Sequence, residues 1–332
     1  MFAIKTIANS PFINKDKLNI LTFPTHESYE TNLTKTNHNF WAFSGENIKS
    51  WDKTYRKIPS NYYILGKVAN LDDFPAELNF DLVLSHQKFG QFQIGSKIAE
   101  QLKLPLINVE HTWCNPLWRE EDIQNLREMS ANINVFITKS NQKVWGFNSE
   151  NSVVIEHGMD TDLFKSNPEI PRKNHILSCV NDFISRDVWC GFHLWKEVTQ
   201  GLPVHPIGKT SGLSQPAKNL EDLVYQYQSS RIFINTSLNS PIPCALLEAM
   251  SCECAILTTA TCEIPTIIKN GENGFITNDK KEMRQYLELL LNDQKLAQKL
   301  GENARKTISE RFNLNKFVKE WNSIFQKALK LK

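Results

Sequence analysis

The stretch from residue 231 to residue 278 constrains the fold of this chain more than any other part of its 332 residues. It begins with a short apolar run at 232–234, which its length and β-branched residues identify as a buried strand. A polar loop follows, and the run of Ala, Leu and Met after Pro243 then predicts a helix. A second apolar run at 255–259 predicts the next strand, and a turn rich in Asn and Gly at 270–274 precedes a further short strand. This alternation is the repeating unit of a parallel α/β sheet.

Ligands of an open parallel sheet bind at the carboxyl ends of its strands, where helices begin and present free amide groups. The helix after the first of these strands starts at Pro243, Cys244 and Ala245, which are therefore candidate contacts of a phosphate group. Glu248 follows about a turn and a half inside the helix. Its carboxylate could accept hydrogen bonds from two vicinal hydroxyls, such as those of a ribose. It could equally be an ordinary solvated helix residue, and the residues alone leave both interpretations open.

The longer pattern is more specific. The segments LLEAMSCECAILTT, from residue 246, and EIPTIIKNGENGF, from residue 263, resemble the donor-binding signature of GT-B glycosyltransferases, close to the retaining family called glycosyl transferases group 1. That family carries two glutamates separated by seven residues. Glu248 matches the second glutamate, Ser240 replaces the first, and the small-Gly-x-Pro of the family is altered at 252–255. The resemblance implies an α/β fold of GT-B architecture, with two Rossmann-like domains whose parallel sheets face each other across a cleft.

The length and the 41% hydrophobic content are sufficient for two domains with separate cores. With the resemblance as a guide, we assign residues 1–164 to an acceptor-side Rossmann-like domain and residues 165–312 to a Rossmann-like domain that binds a nucleotide sugar. Residues 313–332 are predicted to form a last helix that crosses back onto the first domain, as in GT-B proteins. Three aromatic residues at helical spacing predict its packing stripe: Phe317, Trp321 and Phe325.

Both domains show alternating strand and helix patterns. In the first domain we predict a short strand and turn within 1–17, strands at 19–23, 38–43, 61–65, 80–86, 105–111, 134–140 and 152–158, and helices at 91–102 and 120–129. In the second we predict strands at 176–180, 232–234, 255–259 and 275–276, and helices at 220–227, 280–291, 295–312 and 314–331. Chemically important residues are expected where these strands end.

His86 and His111 each end a predicted strand of the first domain. The order of strand, helix, strand and histidine around them resembles a block of the family that carries two histidines. The resemblance implies that His111 faces the donor sugar, and places His86 on the acceptor side of the cleft. A packed, hydrogen-bonded structural histidine is the alternative interpretation of each.

The loop after the strand at 19–23 is usually glycine-rich in GT-B proteins, where it faces the donor phosphates or the acceptor. In this chain it contains no glycine. Thr25, His26 and Glu27 could supply a hydroxyl, an imidazole and a carboxylate to a ligand, and we place them in an acceptor-side loop. They could also merely cap the helix predicted from residue 28 onward, and both interpretations stay open.

Two basic residues of the second domain are candidate ligands of a diphosphate. Family members usually carry an Arg, and a Lys-Gly a few residues on, after the first strand of this domain. Arg186 fits the first position, and its planar guanidinium can engage two phosphate oxygens at once. The lysine is missing near residue 190, and Lys209 is our candidate replacement. A surface charge is the alternative interpretation of both residues.

Composition excludes several other classes of protein. The 38 basic and 36 acidic side chains leave a formal net charge of +2, too small to attract polyanions strongly. No apolar window approaches the length of a membrane span, and the N-terminus lacks a signal-peptide pattern. Seven cysteines without paired zinc spacing predict reduced thiols in a cytoplasmic protein. Asp160-Thr161-Asp162 has the form of a metal-binding DxD, but it lies at the expected linker, so we assign no metal.

The resemblance implies a glycosyltransferase (EC 2.4) that moves a hexose or a pentose from a nucleotide-diphosphate sugar to an acceptor hydroxyl. It implies retention of configuration, no metal and no cofactor beyond the sugar nucleotide as co-substrate. His111, Glu248 and Arg186 would take the catalytic roles, while Lys209 and Ser240 would bind the donor with residues 243–245. Since Ser240 removes a carboxylate that touches sugar hydroxyls in the family, we hypothesise a donor with fewer or differently placed hydroxyls, such as a pentose.

Two alternatives stay open. One is a nucleotide-sugar-binding protein with impaired catalysis, suggested by Ser240, the loop without glycine and the missing lysine. The other is a non-hydrolysing nucleotide-sugar epimerase, which shares the two-domain fold. The acceptor is also open, since a glycan, a lipid-linked sugar, a small molecule or a modified nucleic-acid base would fit. Peripheral membrane contact and the oligomeric state are not determined by the sequence.

Overall fold

The computed structural model describes residues 16–43, 49–65, 78–115, 117–150 and 152–331, which form two parallel β-sheets. The first sheet contains β1 (Asn19–Thr22), β2 (Asn39–Phe43), β3 (Tyr62–Leu65), β4 (Leu82–Ser85), β5 (Leu106–Glu110), β6 (Ile133–Phe136) and β7 (Ser152–Val154). The second contains β8 (Lys173–Cys179), β9 (Val204–Ile207), β10 (Ser230–Asn235), β11 (Ala255–Thr258) and β12 (Phe275–Ile276).

Helices connect the strands of both sheets. Those of the first domain are α1 (Glu27–Leu33), α2 (Gln91–Leu102), α3 (Glu120–Glu128) and α4 (Lys139–Val144). Those that follow are α5 (Asp187–Cys190), α6 (Phe192–Val198), α7 (Leu220–Ser229), α8 (Cys244–Ser251), α9 (Lys280–Asn292), α10 (Gln294–Arg311) and α11 (Leu314–Leu329). In the described ranges, none of the helices has both the length and the apolar character that a bilayer crossing requires.

The strand orders place a ligand crevice in each domain. The first sheet has the order β3-β2-β1-β4-β5-β6-β7, and the second β12-β11-β10-β8-β9. The order reverses between β1 and β4 in the first sheet, and between β8 and β10 in the second. In open parallel sheets, ligands bind outside the carboxyl ends of the strands at such reversal points. The prediction of two Rossmann-like domains with parallel sheets is confirmed.

The last helix, α11, packs on the first domain although it follows the second in the chain. Its aromatic stripe, Phe317, Trp321 and Phe325, is buried in one core cluster with Ile107 and Val109 of β5. The amide of Met159 donates to the carbonyl of Phe312 at 2.8 Å where the two connections between the domains run side by side. Burial of three aromatic side chains thus fixes the C-terminal end of the chain to the first sheet.

Local capping explains where the sequence-based prediction was wrong. The strand predicted at 134–140 ends at Phe136, because the side chain of Thr138 accepts a hydrogen bond from the Asn141 amide and starts α4. The strand predicted at 152–158 is only β7, and α5, α6 and β9 were not predicted. The strand and turn predicted within 1–17 fall on residues that, up to residue 15, lie outside the described part of the chain.

Candidate active site

A cleft of about 620 Å³ lies between the domains, at the carboxyl ends of both sheets. It is lined by nine of the residues that the sequence singled out: His26, Glu27, His111, Arg186, Ser240, Pro243, Cys244, Ala245 and Glu248. The lining does not include Thr25, His86 or Lys209. The structure therefore brings most of the predicted site residues together.

The N-terminus of α8 opens into the cleft. Pro243 is its N-cap residue and makes no side-chain cap, and the first two helical residues, Cys244 and Ala245, line the cleft. The loop before the helix is held in place by α5, since the carbonyl of Trp189 accepts hydrogen bonds from the Leu238 and Asn239 amides at 2.9 and 3.2 Å. An uncapped helix start presents amide groups and a partial positive charge, which suits an anionic ligand.

Glu248 is buried beneath this helix start, and both of its carboxylate oxygens have protein partners. Arg56 Nη2 of the first domain lies 3.2 Å from Oε1, and Tyr227 Oη of α7 lies 2.9 Å from Oε2. Only 8% of the Glu248 side chain is exposed. Burial raises the pKa of Glu248, and Arg56 opposes that rise. The solvated-helix interpretation of Glu248 is therefore wrong.

The two basic candidates of the second domain differ in position. Arg186 is exposed and lines the cleft, and in the described part of the chain its guanidinium has no hydrogen bond or ion pair to a neighbour. Lys209 is exposed outside the cleft lining, and its backbone amide donates to Asn181 Oδ1 at 2.8 Å. Arg186 is thus placed to meet a ligand directly, and Lys209 lies beside the cleft.

Four histidines surround Tyr29 on the first-domain side of the cleft. The rings of His111, His157 and His86 lie 4.6, 5.6 and 6.1 Å from that of Tyr29, and His26 lies 4.8 Å from His111. Burial lowers the pKa of His157 to about 4 and of His86 to about 3, and it also lowers that of His111. These three imidazoles are therefore neutral at neutral pH.

The contact between His86 and His111 determines which nitrogen of each ring carries the proton. His86 Nδ1 lies 3.3 Å from His111 Nε2, while the buried His86 Nε2 has no hydrogen-bond partner in the described residues. A buried N–H without an acceptor is costly, so the proton of neutral His86 belongs on Nδ1, which then donates to His111. Neutral His111 consequently carries its own proton on Nδ1. That atom makes no hydrogen bond to a described residue and is available as a donor to a ligand.

The loop after β1 is held by its own protein contacts. Glu30 Oε1 accepts from the amides of Thr25 and His26 at 2.6 and 2.8 Å, and its other oxygen accepts from Tyr62. The Thr25 hydroxyl accepts from Gln91 at 2.7 Å. In place of a glycine-rich loop with free amides, the chain has a loop whose amides are occupied by a buried carboxylate. His26 is the member of this loop whose side chain can meet a ligand.

Glu27 serves as an anchor for a neighbouring segment. Its Oε2 lies 2.7 Å from Lys49 Nζ, and its Oε1 accepts from the Asp52 amide at 3.0 Å. His26 occupies the N-cap position of α1 without making a side-chain cap, and Glu27 is the first helical residue. The capping interpretation is therefore wrong for these two side chains.

Sequence reasoning missed Arg56, Tyr227 and Glu30. No local pattern marks them, because the partners of Arg56 and Tyr227 in the site lie 192 and 21 residues away along the chain.

Asp160, which belongs to the DxD-like segment, caps the following turn by accepting from the amides of Asp162 and Leu163 at 3.2 and 3.0 Å. The described residues contain no group of His, Cys, Asp and Glu suited to a metal ion.

Part of the second domain is similar to known glycosyltransferases. Residues 215–307 match the family model described as Glycosyl transferases group 1. A segment of 116 residues is 29% identical to the capsular polysaccharide biosynthesis glycosyltransferase CapM of Staphylococcus aureus, covering 34% of this chain and 30% of that protein. Another segment, of 87 residues, is 31% identical to N-acetyl-alpha-D-glucosaminyl L-malate synthase of Bacillus anthracis, and it covers 26% of this chain and 23% of that protein. The matches thus span less than a third of these curated relatives.

Solved structures extend the likeness to both domains. The Anabaena protein HepE, crystallised with UDP, aligns with a TM-score of 0.71 at 13% identity over 94% of this chain and 100% of its own. Sucrose-phosphate synthase from Thermosynechococcus elongatus aligns with a TM-score of 0.71 at 12% identity, over 95% of this chain and 100% of its own. At such identities the likeness concerns the fold, and it confirms the predicted GT-B architecture.

Proposed function

We propose that this chain, which has the GT-B fold and matches the Glycosyl transferases group 1 model over residues 215–307, transfers a sugar from a nucleoside-diphosphate sugar to an acceptor hydroxyl. The observation that carries the proposal is the cleft, in which the uncapped start of α8 and Arg186 face the histidine cluster of the first domain. HepE was crystallised with UDP and with UDP-glucose, which supports uridine nucleotides as the first ligands to test.

Arg186 is the diphosphate ligand in this proposal. The basic side chains that line the cleft within the described residues are Lys49, Arg56 and Arg186. Lys49 is paired with Glu27 and Arg56 with Glu248, so their charges are already compensated. Arg186 alone among these three keeps an uncompensated charge, and it lies on the same domain as the α8 N-terminus. Together they would neutralise the charge that develops on the diphosphate as it leaves, without a metal or another cofactor.

Glu248 and His111 would hold the two ends of the donor. The Glu248 carboxylate would accept hydrogen bonds from the ribose hydroxyls, and neutral His111 would donate its Nδ1–H to a hydroxyl of the sugar. In the reaction the bond between the anomeric carbon and the diphosphate oxygen breaks, and the acceptor oxygen forms the new bond. The acceptor proton passes to a phosphate oxygen of the departing diphosphate, and configuration is retained.

The donor sugar and the setting complete the proposal. Ser240 lines the cleft with a hydroxyl where the family has a carboxylate, so we propose a sugar with fewer or differently placed hydroxyls, such as a pentose. We place the reaction in the cytoplasm, since the seven cysteines are free thiols that suit a reducing compartment.

The first experiment is an incubation of the full-length protein with UDP-glucose, UDP-xylose and their GDP and ADP counterparts, with and without a panel of glycan, lipid-linked and small-molecule acceptors. Mass spectrometry of the products separates the candidate functions. A glycosylated acceptor and free nucleoside diphosphate support a transferase. A new sugar nucleotide formed without acceptor identifies an epimerase instead, and binding without any turnover identifies a binding protein.

A second experiment tests the role of Arg186. We expect Arg186→Met to weaken UDP binding about tenfold or more in calorimetric titrations, because one or two charge-assisted hydrogen bonds are lost. Binding of uridine, which has no phosphate, should hardly change. Lys196→Met removes an exposed charge from α6 outside the cleft lining and is the matched control. Equal UDP affinity in the Arg186 and Lys196 variants would exclude Arg186 as the diphosphate ligand.

A further inference from the structure

Residues 49–56 of the first domain form an arm that crosses toward the second domain. The arm is fixed to its own domain by Glu27, which binds Lys49 and the Asp52 amide, and by Trp51, which is buried and packs at 4.6 Å on Tyr62. The indole of Trp51 also donates to the carbonyl of Arg56 at 2.7 Å and so closes the arm on itself. The position of its end is therefore set by the first domain.

The end of the arm contacts two elements of the second domain. Tyr55 Oη accepts a hydrogen bond from Asn181 Nδ2 at 3.1 Å, just beyond β8. Arg56 reaches Glu248 in α8, and its guanidinium lies 5.5 Å from the ring centroid of Phe164. Only 6% of the Arg56 side chain is exposed, so the ion pair is buried at the domain interface. Because desolvation offsets much of the attraction in a buried ion pair, stabilisation alone does not account for this one.

We propose that Arg56 is a positioning residue for Glu248, holding the carboxylate charged and oriented so that the donor ribose can bind it. This inference rests on the proposed function. A carboxylate offers about four acceptor positions. Arg56 occupies one on Oε1 and Tyr227 one on Oε2, which leaves one position on each oxygen. Two vicinal hydroxyls require two such positions, and Glu248 lines the cleft from which they would approach.

Arg56 supplies the charge that keeps Glu248 ionised. The other titratable groups that face this carboxylate are Tyr227 of α7, Cys179 of β8, and Cys244 and Cys252 of its own helix. Burial raises the pKa of Tyr227, Cys179 and Cys252, so these three groups are neutral at neutral pH. Burial also raises the pKa of Glu248, and Arg56 acts in the opposite direction. Without Arg56, a larger fraction of Glu248 would be protonated near neutral pH.

This arrangement has a consequence for the donor. Glu248 belongs to the second domain and Arg56 to the first, so this ion pair, and the orientation that it gives the carboxylate, exists only while the two domains hold this arrangement. A donor that needs the charged carboxylate is thereby coupled to the relative position of the domains.

The test compares Arg56→Met with Lys57→Met, which removes an exposed charge from the next residue. UDP and uridine are titrated into each full-length variant between pH 5.5 and 8.5. For Arg56→Met we expect both ligands to bind at least tenfold more weakly at pH 7, with affinity recovering as the pH rises and Glu248 ionises. Arg56→Lys should keep a profile close to that of the wild type. Loss of UDP binding with unchanged uridine binding would mean that Arg56 contacts the diphosphate, and would overturn the proposal.

A ligand-free measurement keeps the two proposals distinguishable. Failure of the wild-type protein to bind any nucleoside diphosphate refutes the proposed function. Independently, the unfolding midpoints of Arg56→Met, Glu248→Gln and the double variant form a cycle that needs no nucleotide. Non-additive shifts support the coupling of Arg56 to Glu248, and additive shifts overturn it. Wild-type-like affinity and pH profile in Arg56→Met would also overturn the inference while leaving the proposed function intact.

Discussion

Replacing Trp321 by alanine should destabilise the first domain even though the residue lies near the C-terminus. Its side chain is fully buried between Phe317 and Phe325 of α11, and its indole donates to Tyr29 Oη at 3.1 Å. Truncation of a buried Trp to Ala typically costs about 3–5 kcal/mol, and a lost hydrogen bond about 1 kcal/mol. We therefore expect a loss of about 4 kcal/mol in the free energy of unfolding of the first domain.

Hydrogen exchange followed by mass spectrometry is the suitable assay, because it reports on each domain separately. Trp321→Ala should reduce protection in α1 and β1 far more than in α8 and β10. Leu289→Ala, at a 41% exposed position of α9, is the control and should change stability by no more than about 0.5 kcal/mol. A loss below about 1 kcal/mol, or equal loss of protection in both domains, would refute the view that α11 completes the first core.

Three further predictions concern the site. Burial raises the pKa of Glu30 from 4.5 to about 7, so protonated Glu30 stabilises the folded state at low pH and this stabilisation is lost as the pH rises through 7. The loss in the free energy of unfolding is on the order of 3 kcal/mol. Glu30→Gln should abolish it, which denaturant titrations at pH 5 and pH 8 would show. Gly208 has φ +122°, and a β-carbon there would lie 2.1 Å from the Val180 carbonyl oxygen. Gly208→Ala should therefore lower the melting temperature of the second domain and weaken UDP binding, whereas unchanged values would refute the close approach. Ser240→Glu should shift donor preference toward hexoses in the product assay, and an unchanged preference would contradict the pentose hypothesis.

The fold was predictable wherever the sequence signal is local. The strand, helix and strand at β10, α8 and β11 follow from apolar runs, a proline at the helix start and a turn signal, and all three lie where these patterns place them. The errors occur where a side-chain contact overrides the pattern. Thr138 stops β6 early because its hydroxyl caps α4, although Ile137 continues the apolar run. An apolar run alone does not show whether a strand continues or is ended by the cap of the next helix.

The site was predictable only in part, for the same physical reason. Glu248 stands in the helix that the parallel-sheet pattern predicts, Arg186 stands where the family resemblance places an arginine, and both line the cleft. Arg56 and Glu30 act through contacts that only the folded chain creates, and each lies in a polar stretch without a periodic signal. The surroundings of Glu248 could not be read from its helix, because one of its two partners comes from the other domain.

The distribution of charge explains why the donor would bind on one particular side of the cleft. The first-domain side presents His111 and His157, whose pKa values burial lowers, so that these two rings carry no imidazolium charge at neutral pH. The second-domain side presents Arg186 and the start of α8. In the proposed reaction a diphosphate would therefore be drawn to the second domain, while neutral imidazoles would face the sugar and acceptor and could accept or donate hydrogen bonds without competing for the phosphates. Protonation of these histidines in acidic solution would remove this asymmetry, so the preference for binding the diphosphate on the Arg186 side should weaken as the pH falls.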